Sequence, residues 1–242
     1  MNPVPVLYTK DLTKSFRHVK ALQGVSIQVE TGKITALVGD NGSGKSTLIK
    51  ILSGNYRPDG GTIYIDGEPC TGLSVSQSMA LGIRTVYQDL SLDDCKNSFE
   101  NIFLGGERMK GLFLDRKRMQ EEAAMLLDEI HVKIPDLTEP VRNLSGGQRQ
   151  GVAIARALRS TCRILLLDEP TAAMGIQESH SALHILRALR ERGLTQLIVS
   201  HNLGQVFDLA DHIYVMRAGE VLASVAAEDI TEAELRRMIL IS

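Results

Sequence analysis

Gly39-Asp40-Asn41-Gly42-Ser43-Gly44-Lys45-Ser46 combines glycines, a lysine and a hydroxyl at the spacing G-x-x-x-x-G-K-S/T. Glycines at these points let successive backbone N–H groups turn toward one anion with no side chain in the way. A helix that starts at the end of the loop adds partial positive charge. Lys45 brings a full charge to the outer phosphates of a nucleotide, and the Ser46 hydroxyl is a ligand for Mg²⁺. A shuffled chain of this composition would contain the pattern about 0.01 times. The reading is a nucleotide phosphate site.

A second group of chemical residues stands at Arg163-Ile164-Leu165-Leu166-Leu167-Asp168-Glu169, an apolar run that ends in two acids. Adjacent carboxylates at a buried strand end repel each other unless a cation sits there. The alternative is a pair of exposed loop acids. With a phosphate loop in the same chain, Asp168 is expected to meet the Mg²⁺ held by Ser46, and Glu169 to orient or deprotonate a water. A third group is Leu144-Ser145-Gly146-Gly147-Gln148. Ser145 and Gln148 fit a capping box, and Val152, Ala155 and Leu158 continue a helical stripe. Two glycines in the first turn also leave N–H groups for an anion.

The elements that must hold these groups follow from periodicity. Ile34 to Val38 reads as a strand leading into the phosphate loop, and Ser46 to Leu52 as the helix after it. Val25 to Val29 alternates as a half-buried strand. Thr62 to Ile65 is another, bracketed by the turns Pro58-Asp59-Gly60-Gly61 and Asp66-Gly67. In the middle, Met119, Ala123, Leu126, Leu127 and Ile130 mark one helix face, and Pro135 closes that region. Beyond it come a strand at Ile164–Leu167, a helix through Ala182, Leu183, Leu186 and Leu189 ended at Gly193, and a strand at Thr195–Val199. A hairpin follows, with Ile213–Met216 and Val221-Leu222 flanking Ala218-Gly219. Strands and helices alternating on both sides of a helical insert imply an α/β sheet covered by helices.

Composition narrows the function. The 242 residues include 43% hydrophobic and 23% charged residues, the balance of a globular chain. With 27 Lys+Arg against 29 Asp+Glu the net charge is −2, which gives no general attraction for nucleic acid or anionic lipid. No apolar run approaches the roughly 18 residues that span a bilayer, and Met1 to Lys10 has no secretory pattern. Direct membrane insertion is therefore not expected. Cys70, Cys95 and Cys162 match neither a zinc pattern nor a disulfide framework. His180 and His184 stand at i and i+4, but no third ligand follows, so they read as an ordinary helix face. Arg116-Lys117-Arg118 reads as a solvated helix start.

The motifs in their order resemble the ATPases of ABC transporters. Leu144-Ser145-Gly146-Gly147-Gln148-Arg149-Gln150 is similar to that family's signature, and Leu165 to Thr171 to the acidic strand end that follows it. Gln88, in Val86-Tyr87-Gln88-Asp89, resembles the Q-loop. His201, in Ile198-Val199-Ser200-His201-Asn202, resembles the switch histidine. Phe16 stands where the family stacks an aromatic on adenine; the lesser alternative is a core aromatic. The resemblance implies an α/β fold: a P-loop NTPase (RecA-like) core with an N-terminal antiparallel β subdomain and a helical signature subdomain at about 90–160. A single ABC ATPase domain would span 1–242.

The resemblance also implies roles. ATP would contact Phe16, Gly39, Asp40, Asn41, Gly42, Ser43, Gly44, Lys45, Ser46 and Thr47. Ser145, Gly146, Gly147 and Gln148 would contact it from a second, head-to-tail copy. Mg²⁺ would lie near Ser46, Gln88 and Asp168. Glu169 would activate water, and His201 would hold the γ-phosphate. One departure stands out: Ala172-Ala173-Met174-Gly175 puts Gly175 where the family often has an interface carboxylate.

Gly39-Asp40-Asn41-Gly42, Tyr87-Gln88-Asp89-Leu90, Asn101-Ile102-Phe103-Leu104-Gly105 and Ser145 to Gly151 resemble bacterial monosaccharide importers of the ribose, xylose and fructose type. Many of those fuse two ATPases in one chain, and here one is expected. The implied partners are a second ATPase protomer, a separate integral-membrane permease docked on the insert between Gln88 and Leu144, and, indirectly, an extracytoplasmic solute-binding protein. No nucleic-acid partner is implied. The place implied is the cytoplasmic face of the bacterial inner membrane. The alternatives are an ABC ATPase for another solute, a soluble ABC protein of translation or repair, and a regulatory nucleotide-binding module.

Overall fold

The computed structural model describes residues 5–172 and 174–240. Ala173, within the segment that departs from the family pattern, lies outside the described residues. The chain divides into two compact units. One comprises Met1–Thr85, Arg163–Glu169 and Arg190–Ser242, the other Val86–Cys162 and Pro170–Leu189.

The first unit begins with β1 (Leu7–Phe16), β2 (Val19–Val25) and β3 (Gln28–Val29), followed by β4 (Ile34–Val38) and α1 (Lys45–Leu52). After these come β5 (Gly60–Ile65), β6 (Glu68–Cys70), α2 (Val75–Ala80) and β7 (Ile83–Val86). An antiparallel sheet has the order β2-β1-β5-β6, with β3 also paired to β1. The stretch from Val25 to Val29, expected as one strand, is divided between β2 and β3. Its burial still alternates, with Val25, Ile27 and Val29 inside and Ser26 and Gln28 outside. The inward residues stay on one face while the hydrogen-bond ladder breaks, because packing and pairing are separate constraints.

The second sheet of this unit holds the catalytic candidates. It uses β10 (Ile164–Asp168), β11 (Thr195–Val199), β12 (His212–Arg217) and β13 (Glu220–Ala226) in the order β13-β12-β4-β11-β10-β7. β12, β4, β11 and β10 run parallel, and β13 closes the edge antiparallel. Every residue of β4, β10 and β11 is buried. That pattern belongs to central parallel strands covered on both faces, and it explains their unbroken apolar runs. The helices α7 (Leu203–Leu209) and α8 (Glu232–Leu240) complete the unit, with Leu203, Val206 and Leu235 packed against Ala36, Val38, Ile213 and Val215.

The second unit is mainly helical: α3 (Ser98–Phe103), α4 (Arg116–Glu129), α5 (Gly146–Leu158) and most of α6 (Ile176–Glu191). On α4 the expected stripe is buried at Met119, Ala123 and Leu127, and Ile130 caps the end. Between α3 and α4 stands a small hairpin that periodicity did not reveal, β8 (Met109–Lys110) and β9 (Phe113–Leu114). It turns at Gly111, whose φ of 62° suits glycine. Its apolar side chains face outward, with Leu112 93% and Phe113 79% exposed.

Candidate active site

The phosphate loop joins the C-terminal end of β4 to α1, and its shape depends on glycine. Gly39 has φ 142°, and a Cβ there would run into the Met216 carbonyl. Gly44 has φ 104°, and a Cβ would come 2.5 Å from the Ala21 carbonyl oxygen and 2.8 Å from Leu22 Cδ2. The loop is thus seated against β2 and the end of β12 with no room for a side chain. The β12–β13 turn braces it further, because the Gly219 N–H donates to the Ser43 carbonyl at 3.1 Å.

Lys45 is buried, and its Nζ donates to the Gly39 and Asp40 carbonyls, both at 2.8 Å, and to Ser43 Oγ at 3.2 Å. Burial pushes the Lys45 ammonium below its ordinary range, while Glu169, Asp168 and Asp40 act to keep it charged. Asp40, Asn41, Gly42 and Ser46 are exposed around the loop, and Thr47 is half-buried on α1.

The acidic strand end lies within reach of this loop. Ser46 Oγ donates to Asp168 Oδ1 at 3.1 Å. Asp168 is buried, and that burial raises its carboxyl above the ordinary range, against the pull of the Ser46 bond. Glu169 takes φ 53°, a left-handed conformation that a glutamate adopts only when its surroundings impose it. Its N–H donates to the Val199 carbonyl at 2.9 Å, which ties it to the neighbouring strand. The same turn brings Glu169 Oε2 to 2.8 Å from His201 Nδ1. His201 is itself exposed, whereas Glu169 is not. The first unit therefore brings Lys45, Ser46, Asp168, Glu169 and His201 to one end of the parallel strands, the position at which open α/β sheets bind ligands.

Phe16 lies at the end of β1 and is 39% exposed, so it is not a core aromatic. Its ring meets Tyr56 edge-on at 5.2 Å, and Lys14 Nζ lies 5.5 Å from its centroid. Tyr56 and Lys14 carry no motif, so nothing in the sequence associated them with Phe16.

The other candidates belong to the second unit. Gln88 is exposed just after β7. Ser145 caps α5: its Oγ accepts from the Gln148 N–H at 3.3 Å, and its N–H donates to Gln148 Oε1 at 3.0 Å. The Ser145 hydroxyl keeps its proton to give. Gln148 Nε2 donates to the Lys133 carbonyl at 2.9 Å, so this side chain is engaged at both ends. Only one of the two glycine N–H groups is open. Gly146 N–H donates to Glu178 Oε1 at 2.8 Å, while Gly147 N–H makes no hydrogen bond among the described residues. Glu178 Oε2 also accepts from the Gly175 N–H at 3.1 Å. The signal for Glu178 is its place three residues after Gly175 at the start of α6, the reach-back position of a capping box.

The donor set around Ser46 suits Mg²⁺. A hydroxyl and a carboxylate supply two hard oxygens, and Mg²⁺ commonly takes one or two carboxylates, with phosphates and waters filling the rest. Among the described residues no group of three or more His, Cys, Asp or Glu could hold a metal by itself. An ion here would be shared with the nucleotide.

Comparison with known proteins gives the same direction. The family described as ABC transporter matches residues 22–172. The chain is 43% identical over 234 residues to the xylose/arabinose import ATP-binding protein XylG of Sulfolobus acidocaldarius, covering 97% of this chain and 93% of that one. It is 39% identical over 238 residues to the fructose import ATP-binding protein FrcA of Rhizobium meliloti, covering 95% and 92%. Among solved structures, a dimeric ATP-binding cassette in a post-hydrolysis state, bound to ADP and Pi, superposes with a TM-score of 0.77 at 26% identity, covering 91% of this chain and 98% of that one. With its phosphate loop, capped glycine helix and acidic strand end in this order, the chain belongs to the ABC transporter family, as an ATP-binding domain with the ABC ATPase fold.

Proposed function

We propose that residues 1–242 work as one ABC ATPase domain that hydrolyses ATP to energise uptake of a small sugar through a separate permease. The observation that carries the reading is the Ser46–Asp168 hydrogen bond. It joins the phosphate loop to the acidic strand end, with Glu169 the next residue along. The identity to two sugar-import ATP-binding proteins supports the class of solute. Their different sugars, xylose or arabinose and fructose, leave the individual monosaccharide open.

In this reading Lys45 and the amides of residues 39–47 hold the phosphates, and Phe16 supports the adenine with its exposed face. Ser46 and Asp168 hold Mg²⁺. The ion, when bound, neutralises charge on the outer phosphates. Glu169 accepts the proton of the attacking water. His201, bonded to Glu169, keeps that carboxylate aligned and donates toward the γ-phosphate. Two copies pair head to tail; the dimeric state of the similar cassette supports a pair. Ser145 and Gly147 of one copy then meet the nucleotide on the other, with Gly146 and Gln148 shaping that helix end. Hydrolysis removes the charge that bridges the copies, so the cycle works as a switch.

The permease docks on the second unit, at the cytoplasmic face of the bacterial inner membrane. The outward-facing Leu112 and Phe113 support this, because an exposed apolar hairpin tip is a surface that a partner can cover. Among the described residues no helix is long and apolar enough to cross a membrane. A solute-binding protein acts only through the permease. The test is ATP hydrolysis by the purified chain as a function of its concentration, with Glu169→Gln as blank, followed by sugar uptake with the permease co-expressed. Specific activity that rises with concentration and vanishes in the variant is expected. A passive module would bind ATP without turnover at every concentration and with the permease present.

A further inference from the structure

The start of α5 is already occupied by a negative charge. Of the first-turn donors, Arg149 N–H reaches the Ser145 carbonyl at 2.9 Å and Gln148 N–H reaches Ser145 Oγ at 3.3 Å. Gly146 N–H donates to Glu178 at 2.8 Å. That leaves Gly147 N–H open, beside a groove of about 820 Å³ lined by Ser145, Gly147, Gln148, Glu178 and Ser181. Glu178 is half-buried, and among the described residues no lysine or arginine pairs with it. Its carboxylate accepts from the Gly175 amide and from the Gly146 amide at the positive end of α5, and Lys133 and His180 line the same groove.

We propose that Glu178 is a charge gate: its carboxylate competes with the phosphate that arrives at α5 from a second copy, and so sets the ATP concentration at which two copies pair. The proposal rests on the shared-site reading above. A phosphate oxygen held by Gly147 N–H and the Ser145 hydroxyl would sit on the donor next to the one Glu178 holds. Adjacent N–H groups in a first helical turn bring the two anions within a few ångströms, where like charges repel strongly. One N–H cannot serve both. The second bond extends the effect, because Glu178 leaving Gly146 also loosens its hold on Gly175 at the start of α6. Pairing is then felt at residue 175, the position where the interface carboxylate of the family is replaced by glycine. Glu178 acts through position and charge and touches no reacting atom, so it is a positioning residue.

The test compares the full chain carrying Glu169→Gln with the same chain carrying Glu178→Gln as well. Dimer formation is followed by sedimentation while ATP and Mg²⁺ are raised, at low and at high salt. At low salt the double variant should pair at about fivefold lower ATP or less. The gap should narrow only in part at high salt, because Glu178 is half-buried and partly buried charges are screened less than exposed ones. ATP binding to dilute single copies should be the same in both. A cap that only stabilised α5 would move the midpoint the other way and show no salt effect. An unchanged or raised midpoint, with the parent still pairing, overturns the gate alone. No pairing by the parent at any ATP concentration overturns the shared site and the gate together. Glu178→Ala, checked by melting temperature, gives the same comparison should the glutamine variant misfold.

Discussion

Glu169 Oε2 and His201 Nδ1 stand 2.8 Å apart, each just past the end of one of two neighbouring parallel strands. Asp168 pairs in register with Val199, so the residues that follow must emerge side by side. The left-handed φ of Glu169 then turns its side chain toward His201 rather than along the strand. Loss of either partner should act on turnover and spare binding. Glu169→Gln is expected to lower ATP hydrolysis by about 10²–10⁴-fold, the usual cost of a catalytic acid or base. His201→Ala should fall in the same direction. Equilibrium binding of ATP should remain, and wild-type turnover in Glu169→Gln would refute the assignment.

Ser46 is exposed, yet its hydroxyl bonds to the buried Asp168. Ser46→Ala should therefore lower the melting temperature, since buried Asp168 loses a donor, and should raise the Mg²⁺ needed for half-maximal hydrolysis about tenfold, a ligand lost from a shared site. A titration of activity against free Mg²⁺, with chelator as the zero point, measures this. An unchanged Mg²⁺ requirement would place the ion elsewhere.

Gly39 and Gly42 separate two costs of glycine replacement. Both have positive φ, but only at Gly39 would a Cβ strike backbone; at Gly42 it meets open space. Gly42→Ala should cost about 1–2 kcal/mol, the left-handed penalty alone. Gly39→Ala should cost more, because the Met216 carbonyl must also move, and should abolish nucleotide binding. Thermal melting with and without ATP distinguishes them.

Glu122 gives a pH dependence whose sign can be worked out. Arg108 Nε and Arg118 Nε each lie 2.8 Å from its carboxylate. The hydrogen bond from Arg108, with that from Arg118, holds the Glu122 carboxyl below its usual range against the opposing effect of burial. A folded pKa below the unfolded one means stability that is present above the unfolded value and lost as the pH falls through the folded one. Arg118 is exposed and Arg108 half-exposed, so the gain is at most about 1 kcal/mol. Glu122→Gln should melt a few degrees lower at neutral pH. That difference should close below the carboxylate range, and a gap that persisted in acid would rule out the charge as its source.

Much of the site was legible because its chemistry is local. The spacing of residues 39–46 determines a loop that ends on a helix, and the apolar run Ile164–Leu167 determines a buried strand with acids at its end. The Ser145–Gln148 capping box is equally contained within a few residues, and it forms as expected. Each of these depends on neighbours a few positions away, so the sequence alone was sufficient.

Tertiary structure decided what lies beside what. Strand order placed β11 between β4 and β10, and with that it brought His201 to Glu169. No periodicity encodes strand order, because every buried parallel strand presents the same apolar run. The contacts of Glu178 with the Gly146 N–H and of Tyr56 with Phe16 arise in the same way, from groups far apart in the chain that only packing brings into range. The outward face of the Met109–Leu114 hairpin is also a tertiary fact, since an apolar tripeptide reads as core until the fold leaves it outside.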